Sequence, residues 1–240
     1  MPKEKSVGCA TPTGGLVGEP QANQPQQSNQ PAAPEAPKMM QIGKKAPDFN
    51  APCYYQGKFA SVQLSEYLGK WVVLCFYPGD FTFVCATEVS ALAAKYQDFQ
   101  DLGVEVLSMS VDSPFVHKMW QEHELCKIVD GGVPFPMLSD GSGQVGAAFG
   151  VYDAEGGVDV RGRFLIDPDG VVQAMEVITP SVGRNVAETL RQIKAFQLVR
   201  ESGDTKVTPS GWKPGKTVLT PGEDLVGNVW KEWKLEDAFN

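Results

Sequence analysis

Between residues 71 and 198 the chain alternates between short apolar runs and apolar positions spaced three or four residues apart. The run at 71–77, WVVLCFY, is rich in β-branched and aromatic residues, which predicts a strand buried on both faces. From Ala86 to Leu102 apolar residues recur at helical spacing, which predicts an amphipathic helix ended by Gly103. The pattern therefore indicates a strand followed by a helix.

The same periodicities continue toward the C-terminus. They predict a strand at 104–111, a helix at 114–125, strands at 162–167 and 171–177, and a last helix at 182–198. The sequence Pro168-Asp169-Gly170 is a turn signal that joins the last two strands into a hairpin. Strands alternating with helices, together with one hairpin, predict an α/β fold with a mixed central sheet flanked by helices on both faces.

The two ends of the chain differ from this pattern. Residues 1–38 contain seven prolines and five glutamines with few aliphatic residues, which predicts a disordered tail before a domain at 39–198. Residues 199–240 contain three of the five tryptophans and three prolines, which predicts an extended C-terminal arm. Because its aromatic rings need a dry surface, this arm folds back on its own domain or lies across another subunit. We therefore expect a homo-oligomer.

Charge and composition exclude several classes of protein. The 240 residues carry 21 Lys and Arg against 29 Asp and Glu, a formal charge of −8, which argues against a nucleic-acid partner. No stretch approaches the ~20 apolar residues of a membrane span, and no secretory signal is recognisable. We therefore expect a cytoplasmic protein with no membrane partner.

The cysteines and histidines limit the possible metal chemistry. Five cysteines is an odd number, which rules out a complete disulfide framework and leaves at least one free thiol. There is no C-x-x-C pair and no cysteine spacing suited to a zinc site. His117 and His123 lie six residues apart, which is not the i, i+4 spacing of a helical metal pair. We interpret both as solvated helix residues and expect no metal.

Cys85 is the cysteine with a chemical reason for its position. It follows a buried strand and a short loop and stands where a helix begins. A helix start offers unpaired N–H groups and a partial positive charge, which stabilise a thiolate. The alternative is that Cys85 is a small buried hydrophobic residue.

The residues around Cys85 carry a family resemblance. The segment Phe81-Thr-Phe-Val-Cys-Ala-Thr-Glu88, preceded by Tyr77-Pro78, resembles the peroxidatic motif of the peroxiredoxins, in particular of the alkyl hydroperoxide reductase C-like branch. The likeness covers roughly residues 41–230 and includes Arg161-Gly-Arg-Phe-Leu-Ile-Asp167, Val182-Gly-Arg184 and Gly211-Trp-Lys-Pro-Gly215. It implies a thioredoxin-like fold and reduction of hydrogen peroxide or small organic hydroperoxides by a thiol. It also implies that no metal or organic cofactor takes part, and that the chain forms a dimer or a ring of dimers.

The resemblance also implies a role for each residue of the motif. It makes Cys85 the peroxidatic thiolate, Thr82 the hydroxyl that holds thiolate and peroxide in line, Pro78 a shield from water, Arg161 the cation beside sulfur and peroxide, and Glu88 and Arg184 a bridge that orients the site. Each accessory residue has a structural alternative. Thr82 fits a helix cap, Glu88 an acid at a helix start, and either arginine a surface ion pair.

Two positions depart from the family pattern. Ala86 stands where the motif has proline, which removes a rigid residue at the expected helix start and affects mobility more than chemistry. Thr208 stands where the resemblance predicts the resolving cysteine. A threonine cannot attack a sulfenic acid to form a disulfide.

A sulfenic acid at Cys85 must then be reduced by another route. An external thiol, from a thioredoxin, a glutaredoxin or a small molecule, is one route. Another is a different cysteine, for which Cys9 on the mobile tail, Cys53 and Cys126 are candidates, whereas Cys75 reads as core. The sequence thus predicts a thiol-dependent peroxidase. One alternative is a redox sensor or relay, or a holdase-like assembly, that passes oxidation to partner proteins. Another is a binding protein with an inert thioredoxin-like core.

Overall fold

The computed structural model describes residues 3–4, 15–17 and 40–239. Contacts within the chain divide it into two units, residues 1–184 and residues 185–240. The first unit contains the strands β1 Lys3–Glu4, β2 Gly15–Leu16, β3 Phe49–Tyr55, β4 Lys58–Gln63, β5 Trp71–Phe76, β6 Val104–Ser110, β7 Met137–Ser139, β8 Tyr152–Asp153, β9 Val158–Asp159, β10 Arg161–Ile166 and β11 Val172–Ile178. Its helices are α1 Phe83–Ala94, α2 Tyr96–Asp101, α3 Pro114–Trp120, α4 Cys126–Ile128 and α5 Gln144–Phe149.

The main sheet is mixed, as predicted. Its strand order is β1-β4-β3-β7-β6-β5-β10-β11, with β2 also paired to β3, while β8 and β9 form a separate ribbon. Strand β5 runs parallel to β6 and antiparallel to β10, and all six of its residues are buried. Burial on both faces explains its continuous apolar sequence.

The predicted hairpin of β10 and β11 is confirmed, and its turn is held by one side chain. The Asp167 carboxylate accepts hydrogen bonds from the backbone N–H groups of Asp169 and Val171, each at 2.9 Å. Gly170 takes a φ of 77°, which glycine adopts without a steric penalty. On the other side of β10, Gly162 lies opposite Phe76, the last residue of β5. This register places Arg161 at the carboxyl end of β5, where the Cys85 loop begins.

The helix that carries Cys85 begins earlier than predicted. We expected it from Ala86 to Leu102, but α1 begins at Phe83, after Thr82 in an extended conformation. It ends at Ala94, and Lys95, with a φ of −105° and a ψ of 11°, separates it from α2. Cys85 is therefore the third helical residue.

A second hairpin, β3 and β4, was missed from the sequence. Its turn residues Gln56 and Gly57 both have positive φ, 48° and 79°, as a two-residue hairpin requires. Pro52 lies within β3, and a proline inside a run argues against a strand. The local pattern therefore did not reveal this hairpin.

The N-terminal residues that the structure describes pair with this hairpin. We predicted a disordered tail over residues 1–38. Within it, β1 pairs antiparallel with β4, and β2 with β3. These contacts are made by backbone groups, so low apolar content does not exclude them. The other residues of 1–38 lie outside the described part of the chain.

Aromatic rings form the centre of the first unit. Phe149 of α5 packs against Phe76 and Phe164 of the sheet, with ring centroids 5.3 and 4.9 Å apart, and against Phe49 at 6.3 Å. Tilted and edge-to-face contacts of this kind stabilise a core beyond area burial alone. The same core fixes β5 and β10, the two strands that lead to Cys85 and Arg161.

The second unit begins with α6, Val186–Glu201, capped by the Asn185 side chain. It continues with α7, Val229–Glu232, and two 3-10 turns, Glu223–Leu225 and Leu235–Ala238. We predicted α6 as the last helix of the 39–198 domain, whereas its contacts group it with the C-terminal segment. It is the longest described helix, with 16 residues, and no helix in the described ranges is long and apolar enough to cross a membrane.

One buried carboxyl group of the first unit lacks a hydrogen bond. Asp159 is fully buried in β9, and among the described residues neither of its oxygens has a hydrogen-bond partner. Burial, and then the charge of Asp140, raise the pKa of Asp159 to about 8. The native state therefore keeps a proton that the unfolded chain releases near pH 4.

Replacing this carboxyl group should change the pH dependence of stability. Between about pH 4 and pH 8 the native state binds the extra proton, so the contribution of Asp159 to stability falls as pH rises, by about 1.4 kcal/mol per pH unit. We expect the free energy of unfolding of Asp159→Asn, relative to that of the wild type, to rise by about this amount per pH unit between pH 4 and pH 8. Denaturant unfolding at a series of pH values measures the difference. The exposed Asp101→Asn is the control, and parallel stability curves for Asp159→Asn and the wild type would contradict the assignment.

Candidate active site

Cys85 lies in the first turn of α1, directly after the loop 77–82 that follows β5. It is fully buried. Because Cys85 is the third helical residue, its backbone N–H has no partner within the helix. Such unpaired N–H groups at a helix start favour a nearby anion. The predicted position of Cys85 at a helix start is thus present in the structure.

Arg161 is the cation nearest to this sulfur. Its Nη1 donates to Cys85 Sγ at 3.3 Å and to Glu88 Oε2 at 2.7 Å. Its Nε and Nη2 both donate to the Pro180 carbonyl, at 2.9 and 2.6 Å. With 2% of its surface exposed, Arg161 is not part of a surface ion pair.

Glu88 and Arg184 form the expected bridge. Glu88 Oε1 accepts from the backbone N–H and the Nε of Arg184, at 2.7 and 2.8 Å, and Oε2 accepts from its Nη2 at 2.9 Å. Arg184 Nη1 also donates to the Gly162 carbonyl at 2.6 Å. The Glu88–Arg184 pair therefore connects α1 to Gly162 of β10, the residue next to Arg161.

The charges of this buried group do not cancel. Burial alone would raise the pKa of Glu88, but the hydrogen bonds and charge of Arg184, with a smaller contribution from Arg161, hold it below its usual value. Glu88 is therefore an anion, and two guanidinium groups face one carboxylate. The net charge of +1 lies against Cys85 Sγ.

Thr82 and Pro78 lie on the loop before α1. Thr82 occupies the cap position, yet its hydroxyl makes no capping bond and donates instead to the Gly79 carbonyl at 2.8 Å. With its proton used there, the oxygen is left as an acceptor for a hydroxyl group of a bound molecule. Pro78 is half-buried at the start of the same loop. The roles implied for both residues stay predictions.

Ala86 has a different place in the helix from the one expected. Because α1 begins at Phe83, Ala86 is its fourth residue, and its N–H donates to the Thr82 carbonyl at 3.1 Å. Proline, which the family motif has here, has no N–H to donate. A proline at this position would therefore remove the first hydrogen bond of the helix.

The other cysteines differ in accessibility. Cys53 in β3 is fully buried, and Cys75 in β5 is buried and has its thiol pKa raised by burial. Cys126 is exposed on α4, and its Sγ donates to the Glu122 carbonyl at 3.1 Å. The candidate Cys9 lies outside the described residues.

One site residue was misread from the sequence. We interpreted His117 as solvated, but it is fully buried and its ring contacts Asp80 on the loop 77–82. The signal was available, because the buried positions of α3 are Pro114, His117 and Trp120, a stripe at three-residue spacing. His123 is exposed, as predicted. Across the described ranges no three His, Cys, Asp or Glu side chains gather as metal ligands.

Comparison with known families matches most of the chain. Residues 42–175 match the model of the AhpC/TSA family, and residues 195–232 match the C-terminal domain of 1-Cys peroxiredoxin. A selenocysteine-containing peroxiredoxin, PrxU, from Peptoclostridium acidaminophilum is 68% identical over 201 residues, covering 84% of this chain and 99% of the relative. Alkyl hydroperoxide reductase C of Bacillus subtilis is 40% identical over 193 residues, covering 80% and 100%.

Solved structures agree with the fold. The reduced 2-Cys peroxiredoxin of Plasmodium vivax superimposes with a TM-score of 0.72 at 37% identity, covering 76% of this chain and 94% of that protein. AhpC of Enterococcus faecalis gives 0.66 at 39% identity, covering 70% and 98%. The expected thioredoxin-like fold, a mixed sheet flanked by helices, is confirmed.

Removing the carboxylate between the two arginines should destabilise the protein. We expect Glu88→Gln to lower the free energy of unfolding by about 3–5 kcal/mol, because it leaves two buried guanidinium groups without a counter-charge. Denaturant unfolding at pH 7 measures the loss. Glu122→Gln, at an exposed i, i+4 pair with Lys118, is the matched control and should stay within about 0.5 kcal/mol of the wild type. Equal stabilities of the two variants would contradict the charge assignment.

Proposed function

The chain belongs to the AhpC/TSA family of peroxiredoxins and is a thiol-dependent peroxidase, and on this premise we propose that Cys85 is its peroxidatic residue. The observation that carries the proposal is the contact of 3.3 Å between Arg161 Nη1 and Cys85 Sγ. A peroxidatic cysteine must react as a thiolate, and this buried cluster has one positive charge left over to face it. The substrates are hydrogen peroxide and small organic hydroperoxides.

The chemical step is a displacement at oxygen. The Cys85 thiolate attacks the terminal oxygen of ROOH, the O–O bond breaks, and one proton is taken up, giving Cys85–SOH and ROH. Negative charge moves from sulfur to the leaving oxygen. Arg161, already fixed by Pro180 and Glu88, is oriented to stabilise that charge without rearranging. The Thr82 oxygen accepts the hydrogen bond of the peroxide OH and aligns it with sulfur.

Ionisation of sulfur by itself does not account for a fast reaction. Groups that stabilise a thiolate also lower its intrinsic nucleophilicity, so most of the gain in thiolate concentration is lost again. Only interactions that are stronger in the transition state accelerate the step. The donors of Arg161 meet this requirement, because they can reach both the sulfur and an oxygen bound beside it.

We propose that an external thiol reduces the sulfenic acid. Cys85–SOH and RSH give a mixed disulfide and water, and a second RSH gives the thiol and RSSR. Thr208 in place of the resolving cysteine, the burial of Cys53, and the match of residues 195–232 to a 1-Cys peroxiredoxin domain support this route. Since Cys85 is fully buried, the first turn of α1 must open before a thioredoxin, glutaredoxin or small thiol reaches it.

The proposal extends to assembly and location. A homo-oligomer, as a dimer or a ring of dimers, with the C-terminal arm at the interface is supported by the apolar side chains that the second unit leaves exposed: Val226, Trp230, Leu235 and Phe239. A cytoplasmic location is supported by the chemistry, which needs a supply of reduced thiols. The relay and holdase-like alternatives are not favoured, because the named relatives are peroxiredoxins and a hydroperoxide reductase.

Two substitutions test the site. Cys85→Ser should abolish peroxide consumption, because a hydroxyl cannot replace the thiolate. Arg161→Ala should lower kcat/KM by about 10²-fold or more, because it removes the donors that stabilise the leaving oxygen. A steady-state assay with hydrogen peroxide and a dithiol measures both. Cys126→Ser, at an exposed thiol, is the control and should keep the wild-type rate. Wild-type turnover by Cys85→Ser would end the proposal.

The route of reduction is tested by mass analysis and by electron donors. After one equivalent of peroxide, a sulfenic-acid trap should label Cys85, and no disulfide containing Cys85 should form. A disulfide between Cys85 and Cys9, Cys53 or Cys126 would contradict the external route and show that another cysteine of the protein resolves the sulfenic acid. Comparison of thioredoxin, glutaredoxin and a small thiol as donors then identifies the reductant class. Turnover that continues with one of them marks the enzyme, whereas a single equivalent per chain marks a relay.

A further inference from the structure

A cavity lies at the end of the main sheet that is far from Cys85. It has a volume of about 200 Å³ and is partly open to solvent. It lies between the start of β5, a 3-10 turn at Leu64–Tyr67 and the turn that joins β10 to β11. Cys85 follows the other end of β5, and a strand of six residues spans roughly 20 Å. The cavity is therefore separate from the site that contains Cys85.

The walls of the cavity are apolar and come from several segments of the first unit. They are formed by the side chains of Ala46, Leu64, Tyr67, Leu68, Val72 and Ile166. Val72 of β5 and Ile166 of β10 are each 2% exposed and form the interior. Leu68 is 57% exposed and lies at the mouth. The cavity thus has a buried apolar interior and an apolar entrance.

Backbone hydrogen bonds hold these segments in place. The Ala46 N–H donates to the Gly170 carbonyl at 2.9 Å, and the Gly69 N–H donates to the Pro168 carbonyl at 2.8 Å. Both bonds connect the walls to the turn between β10 and β11. The cavity is therefore a preformed feature of the fold, as ligand sites usually are.

The polar groups of the lining already have partners within the protein. The Asp48 carboxylate accepts from the Ser65 N–H and from Gln63 Nε2, each at 2.9 Å. The Asp167 carboxylate accepts from the N–H groups of its turn and from Gln173 Nε2 at 2.7 Å. Among the described residues, no buried side-chain atom that lacks a hydrogen bond belongs to the lining. A buried water needs several polar partners, so the interior suits an apolar molecule better than water.

The charges at the rim select against an ion as the ligand. The lining includes the ammonium groups of Lys45 and Lys70 and the carboxylates of Asp48, Asp167 and Asp169. Because carboxylates outnumber ammonium groups, an anion is repelled. The oxygens of Asp48 and Asp167 already accept N–H donors, which leaves them poor partners for a cation. An ammonium group has several N–H donors and can still donate to a neutral acceptor such as a hydroxyl oxygen.

The volume limits the ligand to one ring. An apolar cavity of about 150 Å³ stays dry and holds a benzene molecule. A cavity of about 200 Å³ thus has room for one aromatic ring with a short substituent. The reaction of the protein supplies such a molecule, because reduction of an aromatic hydroperoxide ROOH releases the neutral alcohol ROH.

We propose that this cavity is a second ligand site of the protein, which takes a neutral aromatic alcohol. Its ring packs against Val72 and Ile166, and its hydroxyl group lies at the rim beside Lys45. Binding involves no covalent step and does not depend on which cysteine reacts with peroxide. The protein thus has one site for the chemistry of the peroxide and another for the organic product.

Methyl NMR of the full-length reduced protein tests the proposal. The probe is cumyl alcohol, which is formed when cumene hydroperoxide is reduced. We expect saturable shifts, and nuclear Overhauser effects between the ring protons of the probe and the methyl groups of Leu64, Val72 and Ile166. The absence of saturable shifts, or contacts with the loop 77–82 alone, would overturn the proposal.

Two substitutions and one control locate the binding. Ala46→Phe places a ring in the cavity and should raise the Kd of the probe at least about tenfold, because a close-packed site has no room for a second ring. Leu68→Ala removes an apolar contact at the mouth and should raise it about threefold to fivefold. Leu235→Ala, at an exposed leucine of the second unit, is the matched control. Equal Kd values for Leu68→Ala and the control would overturn the proposal, whether or not Ala46→Phe folds.

A matched anion tests the class of ligand. Hydratropate, a phenyl-substituted propionate, carries the same ring with a carboxylate in place of the hydroxyl group. We expect its Kd to be at least about tenfold higher than that of cumyl alcohol, because its charge meets a rim with an excess of carboxylates. An anion that binds as tightly as the alcohol would overturn the assignment. The Cys85→Ser assay decides the proposed function separately, since binding of the alcohol needs no turnover.

Discussion

The guanidinium group of Arg161 is the constraint on which the site depends. It is buried and faces three different acceptors, the sulfur of Cys85, the carboxylate of Glu88 and the carbonyl of Pro180. A buried arginine is stable only when its donors are satisfied and its charge is balanced. Here Glu88 balances one of two guanidinium groups, and the sulfur faces the charge that remains. The contacts that satisfy the donors of the buried guanidinium group are therefore the same contacts that hold its charge against the sulfur.

The loop on the other side of Cys85 depends on a different arrangement of buried polar groups. Asp80 accepts from the Tyr77 hydroxyl and contacts His117 Nδ1, while its backbone N–H donates to Asp112, so one residue fixes both the side chain and the main chain. Arg161 of β10 thus contacts Cys85 in the first turn of α1, and His117 of α3 contacts the loop before it. A fixed first turn suits a reaction that must align sulfur with an O–O bond.

The two departures from the family pattern affect different steps. Thr208 stands where the family pattern has a resolving cysteine, so this thiol is absent from the C-terminal segment. Ala86 adds the hydrogen bond from its N–H to Thr82, which closes the first turn over Cys85. The residues proposed to reduce peroxide keep the family pattern.

The sequence by itself determined the central strand β5, the hairpin of β10 and β11, a helix start at Cys85 and the residue types around it, because these depend on local periodicity, turn residues and a short motif. Only the tertiary structure decided which distant groups meet. Arg161 lies 76 positions from Cys85, and the register of β10 on β5 brings them together. His117 lies 37 positions from Asp80, and its burial depends on how α3 packs. The pairing of the described N-terminal residues uses backbone groups, which leave no pattern in the side chains. Local sequence encodes the period of each element, whereas register and packing arise from contacts among all of them.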